Sequence, residues 1–330
     1  MRKPIAILIV ILLAISGAYS QVALSDFQSA FEGFADDLAG TLALNSTIGS
    51  NWSDAYIGGF PHFGAGATVG ASFVNVDSAK SLFESMGGSL PSAFDTLGLP
   101  IPAAVLTAKI GIPFLPIDVG LKGGYIPPSV GEAINKSSGM SVDYANVGIQ
   151  VRYAIIKQNV VLPNISIGAS YNYQKGSLRK TIGSGATYDV PIGASTYHVY
   201  SSDPEASVEW SANVFDFTVQ ASKKLLVFIP YVGAGLSVGK STVKGGVEAT
   251  VSTDYNSNDL DGLEALIESN GGTAPDLSST GIIYTTDSTA PVFRLYGGFS
   301  FRLVVDLDIQ AMYVPAAKSL GGSATLRFQL

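Results

Sequence analysis

The chain has 330 residues, a formal net charge of −7, 47% apolar and 14% charged residues, and no cysteine. That composition is too apolar for a disordered chain and excludes disulfide, thiol or N-terminal lipid-anchor chemistry. It also offers no basic patch to neutralise phosphates, so no nucleic-acid partner is expected.

Arg2 and Lys3 precede an apolar stretch, Ile5 to Ile15, too short for a comfortable span, and Ala18 and Ser20 supply small residues before Gln21. Residues 1–20 therefore read as a secretory signal cleaved before Gln21. No later apolar run reaches about eighteen residues. If the exported chain enters a membrane, only a closed barrel satisfies its backbone there. Residues 24–44 predict an amphipathic helix, with Phe27, Phe31, Phe34, Leu38 and Leu42 at helical spacing and Asp26, Glu32, Asp36 and Asp37 between them. Within a segment 21–50, this helix is expected to be a plug or a periplasmic element, and 51–330 a transmembrane barrel.

From Phe63 the period changes to two. Phe63, Ala65, Ala67, Val69, Ala71 and Phe73 share one face, and Gly64, Gly66, Thr68, Gly70 and Ser72 the other. An apolar face outward with small or polar residues inward is the pattern of a lipid-facing strand. Similar stretches follow near 104–112, 117–125, 144–153, 165–174, 208–222, 232–239, 293–302, 305–313 and 320–330. In the 208–222 stretch the apolar parity switches, and a β-bulge near Val214-Phe215 is expected to reconcile its halves. Further short strands are expected at Trp52–Ile57, Tyr188–Tyr200, Gly246–Thr253 and Ile282–Thr286. Short connections (113–116, 157–164, 223–230, 302–305) alternate with long ones (76–101, 127–141, 176–206, 243–289), and aromatics gather at strand ends. The fold class predicted is all-β: an antiparallel transmembrane barrel of about 10–14 strands with an N-terminal amphipathic helix.

Residues 319–330 alternate in polarity, with Phe328 and a terminal Leu330. They resemble the C-terminal strand by which bacterial outer-membrane barrels are inserted, although that family ends in an aromatic. The resemblance implies a diderm outer membrane, with its lipids and the barrel-assembly machinery as partners. The helix, then Asn51-Trp-Ser-Asp-Ala-Tyr-Ile-Gly-Gly-Phe-Pro-His-Phe-Gly, then strands to the end, resemble FadL-like transporters of long-chain fatty acids. That likeness implies an N-terminal plug and a hydrophobic ligand.

By parity the lumen is lined by many glycines and by Lys109, Asp118, Lys122, Arg152, Arg294, Arg302, Asp306, Asp308 and Arg327. Mixed signs favour an internal ion-pair ladder over a selectivity ring. The glycines leave room for the helix or a small hydrophobic ligand, or else relieve strand curvature. Arg294 and Arg302 are expected to pair with Asp306 and Asp308. Only His62 and His198 exist, both expected in turns or loops, so no enzyme is expected. The run 254–262 has calcium-like oxygen spacing. It lacks the glycine and glutamate of a helix–loop–helix calcium site, so a solvated loop is expected. No cofactor or metal is expected. The leading functional expectation is a passive channel or transporter for hydrophobic small molecules such as fatty acids. The competing one is a structural or surface-interaction barrel displaying its long loops without transport, and a third is a soluble periplasmic β-protein.

Overall fold

The computed structural model describes residues 24–57, 62–85, 89–90, 92–270 and 281–329. The signal reading, residues 1–20, lies outside them.

A helix α1 (Leu24–Ser46) is followed by strand β1 (Phe63–Val74), helix α2 (Val76–Ser85), β2 (Leu99–Gly111), β3 (Ile117–Tyr125) and helix α3 (Pro128–Ser138). Next come β4 (Ser141–Ile156), β5 (Asn164–Thr181), β6 (Thr187–Ile192), β7 (Ser195–Ser201), β8 (Glu205–Ser222), β9 (Phe228–Glu248) and β10 (Val251–Thr253). Helix α4 (Leu260–Ser269), β11 (Gly281–Ser288), β12 (Val292–Arg302), β13 (Asp306–Val314) and β14 (Ser319–Gln329) complete the chain. The strands pair antiparallel in the order β9-β12-β13-β14-β1-β2-β3-β4-β5-β8, and β8 pairs back to β9. This is a closed antiparallel barrel of ten strands, in which each strand has a neighbour on both sides. The pairing β1–β14 seals it, with Ala65 opposite Phe328 and Phe73 opposite Leu320.

The period-two pattern holds because the two faces meet different surroundings. Val69, Leu106, Leu121, Val147, Phe217, Val232, Leu307 and Leu326 are exposed on the outside. Thr68, Lys109, Asp118, Arg152, Asp216, Arg294 and Arg327 are buried inside. An apolar exterior around a polar interior inverts the usual soluble arrangement and fits a lipid surround. No helix among the described residues is long and apolar enough to cross a membrane, which says nothing of strands.

The two barrel ends differ. One carries only short turns, at 112–116, 157–163, 223–227 and 303–305. The other carries the long connections 75–98, 126–140, 182–204 and 249–291, with one short turn at 315–318. Of the four further strand segments expected, Tyr188–Tyr200 is the hairpin β6–β7, Gly246–Thr253 covers the end of β9 and β10, and Ile282–Thr286 lies in β11. These stand outside the closed ring: β10-β7-β6 is a separate sheet, and β11 extends β9. Trp52–Ile57 is not a strand.

Strand β8 corrects one expectation. Its register is continuous against both β5 and β9, with no bulge at Val214-Phe215. Trp210, Ala212, Val214, Asp216 and Gln220 all face inward, while Phe215, Phe217 and Val219 face outward. The parity never switches. What switches is the lumen, which is apolar towards the long-loop end and polar towards the short-turn end.

Candidate functional site: a lumen closed by the N-terminal segment

The reason for that switch is α1. Phe31, Phe34, Ala35, Leu38 and Leu42 are buried against Ile101, Val142, Leu178, Trp210, Val214 and Val243 of the wall, and against Ala79 and Leu82 of α2. Of the residues expected to form the plug face, Phe31, Phe34 and Leu38 lie in this cluster. Phe27 lies on the helix, but its side chain falls outside the described set. The helix is thus neither beneath the barrel nor outside it. Its first turns lie at the long-loop end, where the Phe31 ring lies tilted 6.0 Å from that of Tyr284 of β11. Thr41 meets Ser319 at 3.0 Å, just below the 315–318 turn.

From the last turn of α1 onward the sequence turns polar with the wall, and below Ser46 the chain is no longer helical: Asn45, Ser46, Thr47, Ser50, Asn51, Ser53 and Asp54 are all buried. A buried irregular backbone needs partners for its N–H and C=O groups, and the wall supplies them. Around the C-terminal end of α1, where helical N–H partners run out, Gln174 Nε2 donates to Leu42 O at 2.8 Å, and Lys122 Nζ donates to Ser46 O and to Ile48 O in the turn beyond. Lys109 Nζ donates to Ser50 O at 2.7 Å, Gln220 Nε2 to Trp52 O at 2.7 Å, and Arg152 Nη1 to Asp54 O at 2.9 Å. The plug donates in turn: Ser53 N to Asp308 Oδ2 and Ala55 N to Ser222 Oγ, each at 2.9 Å. Trp52 lies between two cations, Lys109 Nζ at 4.8 Å and Arg327 Cζ at 5.2 Å from its rings. The segment runs on to Ile57, beyond the boundary at 50 expected from sequence.

All nine charged residues expected to line the lumen lie on the inner face; Lys109 and Lys122 bond the plug carbonyls, and the other seven fall into three ion-pair groups. Arg152 forks onto Asp118, one strand away. Arg327 bridges Asp306 at 3.2 Å and Asp308 at 3.1 Å, while Arg302 bridges Asp306 and Asp54 of the plug, each at 3.0 Å. Arg294 departs from its expected partners: it reaches over Gly235 of β9 to Asp216 of β8 at 2.7 Å. Both members of that pair are fully buried. Asp216 and Asp54 were missed in the sequence reading. Asp216 had a signal, being the one acid between the outward Phe215 and Phe217.

The wall's glycines are sockets. A Cβ at Gly235 would sit 2.9 Å from Arg294 Cζ, one at Gly148 2.8 Å from Lys122 Cε, and one at Gly64 2.8 Å from Trp52. Long side chains lie flat across neighbouring strands because those strands carry no side chain there. With the sockets filled, the void left between the plug and β2–β5 is about 10 Å³, the room of a single water.

Towards the long-loop end the packing is looser. A pocket of about 240 Å³ lies between α1 and the β9–β12–β13 wall, lined by Ala39, Gly40, Ala43, Val214, Pro291 and Val292 among others, with Asp36 and Asp37 on the helix. Beside it the wall ladder is interrupted. Strand β9 pairs with β12 up to Ser237–Val292 and with β11 from Ser241–Ser288, so residues 238–240 have no partner on that side. Pro291, which has no N–H to give, lies opposite this gap.

The histidines stand apart from the lumen charges. His62, at the short-turn end, contacts Gln329 at 3.1 Å. His198, on β7, meets Asp254 through Nδ1 at 2.7 Å and Asp189 through Nε2 at 3.6 Å. The Asp254 hydrogen bond raises the imidazole above its ordinary value, and the His198 hydrogen bonds lower the Asp254 carboxyl. The 254–262 run is mostly exposed, as expected of a solvated loop, but it is also locally structured, because its acids clamp and cap. Asp254 holds His198, and Asp259 accepts from Gly262 N at the start of α4. Among the described residues no group of three or more His, Asp or Glu is gathered as metal ligands.

The fold and lumen define a class: an antiparallel barrel with an apolar exterior, closed from within by its own N-terminal segment. No family model and no curated protein matches the sequence. Solved structures similar to it are outer-membrane barrels. The outer membrane protease OmpT from Escherichia coli is 7% identical with a TM-score of 0.40, covering 82% of this chain and 97% of that one. The translocator domain of the autotransporter NalP from Neisseria meningitidis is 9% identical with a TM-score of 0.35, covering 94% and 99%. A Pseudomonas aeruginosa FadL homologue is 10% identical with a TM-score of 0.27, covering 90% and 97%. These likenesses concern the barrel fold alone and carry no activity to this chain.

Proposed function

We propose that the barrel spans the outer membrane of a diderm bacterium and acts as a gated, non-catalytic channel for small hydrophobic molecules, closed in this state by residues 24–57. The observation that carries this reading is the small, mainly apolar pocket against α1, beside a break in the hydrogen-bonded wall. The alanines, valines, glycines and proline that make up most of the lining favour apolar ligands, while Asp36, Asp37, Ser237, Ser241 and Ser288 add polar groups to it, and the break at 238–240 offers a lateral way in from the bilayer. Onward passage requires the 47–57 segment to leave its wall partners, because the polar half of the lumen is filled.

The test is uptake of N-phenyl-1-naphthylamine by proteoliposomes. The wild-type chain takes up the probe, and filling the pocket by Ala43→Phe reduces uptake about tenfold while the protein remains a heat-modifiable barrel. Equal uptake by both proteins, or by neither above empty liposomes, contradicts the channel.

A second reading, a barrel that displays its loops to a partner, is favoured by the outer sheet β10-β7-β6. That sheet has an apolar core of its own, Val199, Val251 and Leu263 of α4. In that case removing this outer unit abolishes partner binding and leaves uptake absent in either form.

A further inference from the structure

On the outer surface, at the long-loop rim, the wall carries a broad groove of about 590 Å³ across β3, β4, β5, β8 and β9. Two rows of the register cross it: Ala145, Lys175, Ser211 and Thr242 in one, and Asp143, Ser177, Glu209 and Lys244 in the next, so the small Ala145, Ser177, Ser211 and Thr242 form its floor. Taller side chains rise around it, among them Tyr125, Tyr173, Lys175, Arg179 and Lys244. All of these lie on the outward face. Lys175 precedes Gly176, whose Cβ would meet the inward Trp210, and Lys244 precedes Gly245, whose Cβ would meet Phe31 of the plug.

The charges in the groove are unequally engaged. Arg179 holds Glu209 at 2.8 Å and Asp143 at 3.5 Å, and Ser177 donates to Asp143 at 3.2 Å. Lys175 and Lys244 are exposed and have no ion-pair partner among the described residues. Lys175 lies opposite Ser211, Ser211 opposite Thr242, and Lys244 two residues beyond Thr242. The two lysines are therefore about 12 Å apart at their backbones, by strand spacing and rise, so both ammonium groups can reach one anion between them. The height matters as much as the charge. The next row down is Val147, Tyr173, Asn213 and Lys240, and below it begin Ile149, Phe215 and Phe217 of the apolar band, so the groove sits where acyl chains give way to headgroups. Tyrosines and lysines at that level are interface anchors.

We propose that this groove seats the phosphorylated headgroup of a membrane lipid, with Lys175 and Lys244 binding the phosphate, the tyrosines bracketing the headgroup, and the acyl chains running down the apolar band. The groove is larger than a lone phosphate requires and of the size that takes a headgroup. Glu209 lies directly opposite Lys244 in the register, but its carboxylate is held by Arg179 at 2.8 Å, as Asp143 is at 3.5 Å, so three cations face two carboxylates and the groove keeps a net positive charge.

The inference rests on the barrel spanning a bilayer, which detergent phase partition tests separately: a chain that stays in the aqueous phase fails there, before any lipid is added. The binding experiment uses the full chain in detergent and native mass spectrometry, with dioctanoyl phosphatidic acid, dioctanoylglycerol and inorganic phosphate as separate probes. Phosphatidic acid binds at least about tenfold more tightly than either of the others, and high salt weakens it while sparing dioctanoylglycerol. The exchange Lys175→Gln with Lys244→Gln removes that preference, and Lys157→Gln with Lys224→Gln at the short-turn end leaves it intact. A double variant that binds as the wild type does, or dioctanoylglycerol bound as tightly as phosphatidic acid, overturns the site. Inorganic phosphate bound as tightly as phosphatidic acid overturns the lipid as its source. The salt dependence of the wild-type chain decides the matter even where the double variant does not fold.

Discussion

Arg294 and Asp216 show how this interior spends charge. Neither is exposed, their oxygen and nitrogen lie 2.7 Å apart, and the arginine also faces the ring of Tyr296 at 4.8 Å. A buried pair contributes little net stability against an apolar replacement, but breaking it strands the partner. Asp216→Ala is therefore expected to cost about 3–5 kcal/mol, whereas Asp216→Leu with Arg294→Met stays close to wild type. Urea unfolding of the reconstituted barrel, followed by tryptophan fluorescence, checks both; an unperturbed Asp216→Ala protein would rule out the pair as a structural element. Trp52 is the corresponding residue of the plug. Trp52→Ala removes a side chain held between Lys109 and Arg327 and is expected to cost about 3–5 kcal/mol of plug seating. The readout is faster proteolysis within 47–57 while the barrel stays heat-modifiable. If that segment is cleaved no faster than in wild type, Trp52 is not an anchor.

At the scale of elements, the outer sheet has a pH dependence of its own. His198 is raised by Asp254, so its contribution is fully present below the unfolded histidine value, about 6.5, and is lost as pH rises through the folded one. Asp254 is lowered, so its contribution is present above the unfolded value, about 3.9, and is lost as pH falls through the folded one. The clamp is strongest between roughly pH 4 and 6.5. Protease resistance of residues 182–204 is expected to peak in that window and to lose its pH dependence in His198→Asn; a flat wild-type profile would contradict the clamp. The strands themselves were readable because lipid and polar lumen impose opposite chemistry on alternate residues, as in β1 and β12. Where α1 packs, that contrast vanishes. Inward Trp210, Ala212 and Val214 of β8 meet an apolar helix, so the strand is apolar on both faces and reads as a parity switch. Asp216 was passed over for the same reason. Arg294's partner was misplaced because sequence parity shows a face, not which neighbour a long side chain crosses a glycine to reach.

The whole molecule is a barrel that carries its own stopper, and the wall's charge is set for it. The polar half of the wall presents Lys109, Lys122, Arg152, Arg294, Arg302 and Arg327 against Asp118, Asp216, Asp306 and Asp308. The cationic excess is taken up by Asp54 and by plug carbonyls at Ser46, Ile48 and Ser50. Mixed signs alone therefore describe a ladder, while their imbalance describes a seat for the N-terminal segment. Because the chain has no cysteine, this placement can be trapped cleanly. A Cβ at Gly40 of α1 would lie 3.0 Å from Ala317 Cβ in the long-loop turn 315–318, so a disulfide forms once that turn gives by about half an ångström. In Gly40→Cys with Ala317→Cys, mild oxidation of the membrane-embedded protein is expected to give a near-complete intramolecular disulfide. It is read as loss of thiol alkylation and recovered on reduction. Two freely alkylated thiols and no cross-link would contradict a plug seated in the lumen.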